Sequence, residues 1–175
     1  MNITHNGYTL KNIETHHIPF LCDWWNNGSI MQYFGYPSGL GVTVEDVYVL
    51  LSKDESRRCH RLIIENNGEP IGEAYYQELD NVTAKIGIRI CKAASHNKGM
   101  GKVILSMLIS ALFERLDYKI ITVMTLVDNS RAQHVYEKLG FRRCGTKTNT
   151  LKIGQEISLS FILYEMTKND FVSYL

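Results

Sequence analysis

The feature that most constrains the fold is a nearly continuous apolar run, Ile120–Val127, between two segments with helical periodicity. Such a run is typical of a strand that is buried on both faces of a sheet. The preceding segment, Gly99–Leu116, is predicted to be a helix. Its apolar side is formed by Ile104, Met107, Leu108, Ala111 and Leu112. The following segment, Ser130–Leu139, is also predicted to be helical and ends at Gly140. These elements predict a mixed α/β domain.

The rest of the chain adds strands and two further helices. Turn signals at Asn66–Pro70 and Asp80–Asn81 join three successive strands, which predicts an antiparallel meander. Helices are predicted over His16–Asn26 and from Thr43 onward. The other predicted strands are Tyr8–Ile13, Leu62–Ile64, Ile71–Leu79, Val82–Cys91, Phe141–Thr150 and Glu156–Met166. This order predicts an α/β fold with a single central, mostly antiparallel sheet of about seven strands, flanked by about four helices.

Length and composition limit the possible classes of function. A chain of 175 residues with 45% hydrophobic and 21% charged residues is predicted to form one domain over residues 1–175. A net charge of +1 argues against a nucleic-acid binder, and no apolar stretch approaches a membrane span. The four cysteines form no CxxC pair and the histidines lack ligand spacing, so no metal site is expected. No signal peptide is visible, which predicts a cytoplasmic protein.

The segment His96–Lys102, with glycines at 99 and 101, joins a predicted strand to a predicted helix. Glycines there let backbone N–H groups point into one concavity at the helix N-terminus, which suits a pyrophosphate; a tight connection alone is the alternative. A dinucleotide fingerprint would need a third glycine where Ile104 stands. A P-loop would need Ser or Thr after Lys102, where the chain has Val103.

A second motif follows about thirty residues later, Asn129-Ser130-Arg131-Ala132-Gln133-His134-Val135-Tyr136-Glu137-Lys138-Leu139-Gly140-Phe141. Together with the Gly-x-Gly turn, it resembles the acetyl-CoA signature of the GNAT superfamily of N-acetyltransferases, along essentially the whole chain. The N-terminal helical segment resembles the branch of ribosomal-protein N-terminal and spermidine acetyltransferases, and aminoglycoside 6′-N-acetyltransferases share this layout.

The resemblance implies direct transfer of an acetyl group from acetyl-CoA to a primary amine in a ternary complex. The implied acceptor is a protein or peptide N-terminus, a polyamine or a similar small amine. An aminoglycoside 6′-N-acetyltransferase and a non-catalytic acyl-CoA sensor are the alternatives. Neither the acceptor nor the choice between monomer and homodimer follows from the sequence.

The resemblance also implies a set of cofactor-binding residues at a splayed strand and the loop after it. These are Ile88, Arg89, Ile90, His96, Asn97, Lys98, Gly99, Met100, Gly101, Lys102 and Asn129. The alternation Ile86, Ile88, Ile90 equally describes any half-buried strand, and Asn129 could instead cap a helix. The family pattern usually has Gln or Arg where this chain has His96, which predicts weaker phosphate binding at that position.

Two residues are candidates for the proton transfers. Tyr136 matches the family's general acid for the departing thiolate, although Ala132, Val135, Tyr136 and Leu139 also form a core stripe. Glu73 is the candidate general base, with a solvated surface glutamate as the alternative.

The acceptor is expected to bind under the aromatic N-terminal segment, against Trp25, Tyr33 and Tyr36, since small-ligand pockets are mostly apolar. Core packing is expected for at least one of Trp24 and Trp25.

Overall fold

The computed structural model describes residues 1–92, 99–153 and 155–175 of the chain. Eight strands of these residues form one sheet in the order β1-β2-β3-β4-β5-β6-β8-β7. The strands are β1 (Asn2–His5), β2 (Tyr8–Asn12), β3 (Cys59–Asn66), β4 (Glu69–Glu78), β5 (Thr83–Ile90), β6 (Ile120–Leu126), β7 (Arg142–Ile153) and β8 (Gln155–Thr167). All neighbours are antiparallel except β5 and β6, which are parallel.

Five α-helices of the described residues flank this sheet. They are α1 (Ile18–Asn26), α2 (Gly28–Met31), α3 (Val44–Ser52), α4 (Met100–Glu114) and α5 (Ser130–Lys138), with 3-10 turns at Thr15–His17, Gln32–Phe34 and Lys168–Asp170. Helix α3 begins with a capping box in which Thr43 and Asp46 bond each other's backbone N–H groups. No helix within the described ranges is long and apolar enough to cross a membrane.

The predicted fold class is confirmed, with one strand and one short helix more than expected. The extra strand, β1, pairs with β2 through a turn at Asn6 and Gly7, whose φ angles are 47° and 82°. This strand has only four residues and three of them are polar, so the sequence shows no strand pattern there. The extra helix, α2, has a single turn, so it carries no helical periodicity.

The sheet opens between β5 and β6. The parallel pairing covers only Thr83–Lys85 of β5, opposite Ile120–Thr122 of β6. Beyond that point β5 continues beside β4 and β6 continues beside β8. Among the described residues, the backbone of 86–89 therefore has no partner strand on its β6 side. This opening between β5 and β6 is called the wedge below.

The two faces of the sheet are covered differently. Helices α4 and α5 pack on one face, the α4 face, against the larger apolar core. The α4 residues predicted to be apolar are all buried there. On the opposite face, the α1 face, a smaller cluster joins α1 and α3 to Ile63 and Cys91. At the wedge, the gap between β5 and β6 connects these two faces of the sheet.

Candidate active site

The N-terminus of α4 lies at the α4 face beside β5. Gly99 caps this helix with φ of 73°, a left-handed conformation that favours glycine. A Cβ built at Gly99 would meet no described atom within 4 Å, and one at Gly101 would meet only Ile90 Cδ1, at 3.9 Å. The described atoms therefore leave space beside both glycines at the N-terminus of α4, where an anion site needs it. The backbone N–H of Lys102 is already bonded to the Gly99 carbonyl at 3.1 Å.

The described side chains around this turn have different surroundings. Met100 is buried in the core, and the Lys102 ammonium lies 4.1 Å from the centroid of the Tyr174 ring. The Lys102 ammonium thus makes a cation–π contact with an aromatic ring of the C-terminal segment. The other predicted loop residues, His96, Asn97 and Lys98, lie outside the described residues.

The three predicted residues of β5 lie on different sides of the strand. Ile88 and Ile90 pack against the core of the α4 face. Arg89 lies on the α1 face, where its guanidinium is 4.1 Å from the centroid of the Phe34 ring. The strand thus separates apolar contacts on one face from a charged side chain on the other.

Asn129 caps helix α5. Its side-chain oxygen accepts a hydrogen bond from the backbone N–H of Ala132 at 3.1 Å. The side chain of Gln133 donates to the carbonyl of Val127 at 2.7 Å. The capping role predicted as one alternative for Asn129 is therefore present.

Tyr136 reaches the wedge from the α4 face. Its ring packs edge-on against Phe141 and Tyr164, with centroids 5.7 and 5.9 Å away, and the residue is buried. Its hydroxyl makes no hydrogen bond to a described residue. Burial raises the pKa of Tyr136, and the neighbouring Tyr75 phenol raises it further. The ring thus belongs to the core, as the stripe predicts, while its hydroxyl is free to bond a ligand.

Tyr75 was missed by the sequence analysis, and it reaches the wedge from the α1 face. It stands opposite Gly87 in the β4–β5 register. A Cβ built at Gly87 would lie 2.2 Å from Tyr75 Cε1 and 2.9 Å from its hydroxyl oxygen. Only glycine lets the Tyr75 ring cross β5 at this point. The two phenols interact electrostatically, since Tyr75 raises the pKa of Tyr136.

Glu73 lies at the centre of a charged cluster on the α1 face. Its Oε1 accepts a hydrogen bond from Trp25 Nε1 at 2.6 Å and pairs with Arg89 Nη1. Its Oε2 lies 3.8 Å from Arg61 Nη1. Because Glu73 is only 4% exposed, the alternative of a solvated surface glutamate is wrong.

Arg61 and Asp54 complete this cluster, and neither was predicted. Arg61 Nε donates to Asp54 Oδ2 at 2.7 Å, and the guanidinium lies 5.3 Å from the Trp25 ring and 5.9 Å from the Tyr75 ring. Burial by itself would lower the pKa of Arg61, but the carboxylates of Glu73 and Asp54 outweigh it and raise that pKa. The one available signal was an arginine beside the apolar run Leu62–Ile64.

The three predicted acceptor residues differ in their positions. Trp25 is buried, as is Trp24, and its indole N–H reaches Glu73. Tyr36 is half-buried against the cluster of α1 and α3, whereas Tyr33 is 53% exposed. Phe34, under Arg89, is the neighbouring aromatic residue that extends this wall. Within the described ranges, no group of three His, Cys, Asp or Glu side chains could hold a metal ion.

These features form a candidate site at a splayed sheet, and comparison with known proteins identifies the family of the chain. The model of the acetyltransferase (GNAT) domain matches residues 8–142, so the chain belongs to the GNAT acetyltransferase family. It is therefore an N-acetyltransferase, and acetyl-CoA is the co-substrate of the family's reaction. The resemblance identified from the two sequence motifs is confirmed.

Three similar proteins illustrate the relationship. Aminoglycoside N(6′)-acetyltransferase type 1 of Klebsiella pneumoniae is 26% identical over 161 residues, which cover 83% of this chain and 79% of the relative. Spermidine N(1)-acetyltransferase of Escherichia coli K12 is 26% identical over 134 residues, 75% of this chain and 71% of the relative. The structure of spermidine N-acetyltransferase from Vibrio cholerae, in complex with CoA and spermine, superposes with a TM-score of 0.81 at 20% identity, over 95% of this chain and 98% of that one.

Proposed function

We propose that this enzyme transfers the acetyl group directly to a primary amine while both substrates are bound. The observation that carries the proposal is the wedge. The open turn at the start of α4 lies on one face of the sheet, and the Glu73 cluster lies on the other. The Tyr75 ring lies against Gly87 of β5 between them, and its phenol interacts electrostatically with Tyr136. An acyl donor and an amine can therefore approach one point from opposite faces.

The donor side fits acetyl-CoA. The helix N-terminus at Gly99, Met100 and Gly101 would offer backbone N–H groups to a pyrophosphate, and the free edge of 86–89 on β5 would offer partners to an extended amide chain. His96, Asn97, Lys98 and Asn129 remain proposed contacts. Acetyl-CoA supplies an activated acetyl group on a thiol that leaves as CoA.

Tyr136 is the proposed proton donor to the leaving sulfur. A tyrosine hydroxyl is protonated at neutral pH, and burial raises the pKa of Tyr136 further. A thiol has a pKa near ~8.5, so the departing thiolate benefits from a donor held in a dry site. The packing of the ring against Phe141 and Tyr164 fixes the direction of that hydroxyl.

Glu73 is the proposed proton acceptor for the ammonium form of the acceptor. Its Oε1 is occupied by Trp25 and Arg89. Its Oε2 accepts no hydrogen bond from a described residue, because the 3.8 Å to Arg61 is too long for one. We propose that Oε2 takes the proton through a water held at the acceptor site.

The acceptor classes that we carry forward are a peptide or protein N-terminus, a polyamine or similar small amine, and an aminoglycoside. The last two are named in the relatives that are 26% identical. Membership of an acetyltransferase family favours an enzyme over an acyl-CoA sensor.

The test is acceptor-dependent release of free thiol from acetyl-CoA, measured with peptides, spermidine and kanamycin as acceptors. A blank without acceptor corrects for the exposed Cys144, which reacts with thiol reagents. We expect release that depends on an amine and falls in Tyr136→Phe. Tight CoA binding without release of thiol for any amine would instead support the alternative of a non-catalytic acyl-CoA sensor.

A further inference from the structure

The charged side chains of the Glu73 cluster are not equally accessible. The side chains of Arg61 and Arg89 are 23% and 17% exposed, whereas those of Glu73 and Asp54 are 5% and 11% exposed. The carboxylates therefore lie behind the guanidinium groups. A ligand that enters over the α1 face meets positive charge first.

Both guanidinium groups retain unused donors. Arg61 donates through Nε to Asp54, and Arg89 donates through Nη1 to Glu73. The Nε of Arg89 is buried and makes no hydrogen bond to a residue that the structure describes. Because a guanidinium carries five N–H groups, each arginine has donors that no described residue occupies. Such donors match a carboxylate, which can accept two parallel hydrogen bonds.

A third cation lies on the same face. Lys85 is two residues before Gly87 and pairs with Gln77 in the β4–β5 register, so it shares the face of Tyr75 and Arg89. It forms no ion pair with any residue in the described part of the chain. Burial lowers the pKa of Lys85, the nearby Lys147 lowers it further, and Cys59 opposes them. Lys85 is thus a cation on the α1 face that no described carboxylate pairs with.

The aromatic wall adds no negative charge. The stretch Trp24–Val44, which contains the end of α1, helix α2 and the following loop, has no aspartate or glutamate. A polyamine or an aminoglycoside carries several positive charges and needs carboxylates that are free to pair with them. Here Glu73 and Asp54 are already paired with arginines. The charge arrangement therefore opposes a polycation.

We infer that Arg61 and Arg89 bind a carboxylate of the acceptor, so that the substrate is a primary amine that also carries a carboxylate, as an amino acid does. This inference rests on the proposed function and names the substrate class of the same site. The ammonium would lie beside Glu73 Oε2, and the carboxylate would bind the free guanidinium donors next to it. One zwitterion then satisfies both charges of the site.

The first experiment compares three acceptors that share one side chain: leucine, leucinamide and 3-methylbutylamine, with spermidine and kanamycin alongside. Rates of thiol release are compared at equal concentrations of the protonated amine, since the three amines differ in pKa and the ammonium form is the one proposed to bind beside Glu73. We expect kcat/KM for leucine to exceed that for the other two by about 10- to 100-fold, the effect of charge-assisted hydrogen bonds. Equal rates for acid and amide would overturn the inference.

The second experiment removes one arginine together with its buried partner, in the double variant Arg61→Gln/Asp54→Asn. This change keeps the charge balance and avoids leaving an unpaired buried carboxylate. We expect kcat/KM for leucine to fall about tenfold more than kcat/KM for leucinamide, so that the preference between the two shrinks. Arg61→Lys keeps the charge but loses the planar guanidinium that can donate two parallel hydrogen bonds. It should therefore also lose most of the preference for leucine over leucinamide. An unchanged preference in both variants would contradict the assignment.

The outcomes separate this inference from the proposed function. Transfer to spermidine or kanamycin that is faster than to every carboxylate-bearing amine would overturn the inference and leave N-acetyl transfer intact. Absence of thiol release for all acceptors, with CoA still bound, would overturn both.

Discussion

Strand β4 presents two different surfaces to its two neighbouring layers. Ala74 and Tyr76 face the apolar core on the α4 side, whereas Glu73 and Tyr75 face the charged cluster on the α1 side. Glu73 and Ala74 are adjacent in the chain and equally inaccessible, at 4% and 1% exposure. The two faces therefore differ in the polarity and charge of their side chains, although the side chains are buried on both.

The two faces have opposite energetic consequences. Burial of apolar area on the α4 face stabilises the fold at about 25 cal/mol per Å². The α1 face removes two carboxylates and two guanidinium groups from water, and pairing only partly offsets that desolvation. A well-packed apolar cluster of similar volume would serve stability equally well. We therefore assign stability mainly to the α4 face and acceptor chemistry to the α1 face, and the following predictions test that division.

The largest expected effect is on turnover in Tyr136→Phe. Removal of the hydroxyl should lower kcat by about 10²–10³-fold, because a proton donor to the leaving thiolate is lost. The ring still packs against Phe141 and Tyr164, so the melting temperature and CoA affinity should hardly change. Steady-state kinetics and thermal unfolding measure both. An unchanged kcat on a chemistry-limited substrate would make Tyr136 a core residue only.

Truncation within the α4 core should affect stability and leave chemistry alone. Leu108 on α4 is 1% exposed, so Leu108→Ala should lower the free energy of unfolding by about 3 kcal/mol through lost burial and a residual cavity. The matched control is Leu79→Ala, since Leu79 is 50% exposed. Urea unfolding measures the difference. A loss of kcat/KM per folded molecule in Leu108→Ala would show that the two faces are not separable.

Removing the carboxylate of Glu73 should have a pH-dependent effect. Glu73→Gln should lower kcat/KM by about 10²-fold near pH 6.5, where the free amine is scarce. For an amine of pKa near ~10, about one molecule in a thousand is unprotonated at pH 7. The defect should shrink as the pH rises, because the substrate then arrives already deprotonated.

The control for Glu73→Gln is Glu78→Gln on the same strand. Glu78 pairs with Arg58 and His60 at the other end of β4, and these partners lower the pKa of its carboxyl. The control should keep the wild-type pH profile of kcat/KM. A Glu73→Gln defect of constant size from pH 6.5 to 9.5 would assign Glu73 to substrate positioning.

These results also show what could be predicted from the sequence. Periodicity identified seven strands and the main helices, because each buries an apolar face. The motif identified the family and the turn before α4. The alternation within β4 placed Glu73 but could not give its partners, since Trp25 lies 48 residues away. Tyr75 joins the site because the strand register places it opposite Gly87 on one side and Arg61 on the other. Local composition does not determine register, so these two residues could not be predicted.

A smaller effect is expected at the start of α4. In Gly101→Val, two methyl groups would occupy the open space above the first turn of the helix, where the pyrophosphate is proposed to bind. We expect the Kd for CoA to rise about tenfold or more, which is 1.4 kcal/mol per factor of ten. Calorimetry measures this change, with Gly101→Ala as a graded control that adds only a Cβ. Equal affinity in all three proteins would remove the loop from the cofactor site.

The smallest expected effect concerns His17, a fully buried residue that precedes α1. Its Nδ1 accepts a hydrogen bond from the backbone N–H of Glu14 at 2.9 Å, so Nε2 carries the proton in the neutral ring. Nε2 makes no hydrogen bond within the described part of the chain and lies 3.8 Å from Glu65 Oε1. Burial lowers the pKa of His17, the charges of His16 and Lys11 lower it further, and Glu65 and Glu14 oppose them.

The lowered pKa of His17 fixes the sign of its contribution to stability. Below pH ~6.5 the unfolded chain binds a proton at this position while the folded protein does not, so the free energy of unfolding falls as the pH falls. The slope from one group cannot exceed ~1.4 kcal/mol per pH unit. Urea unfolding from pH 5.5 to 7.5 should therefore give a shallower pH dependence in His17→Gln than in wild type, whereas the exposed His134→Gln should match wild type. Parallel slopes in all three proteins would mean that His17 gains its proton as readily in the folded protein as in the unfolded chain, and that the α1 face tolerates a further buried charge.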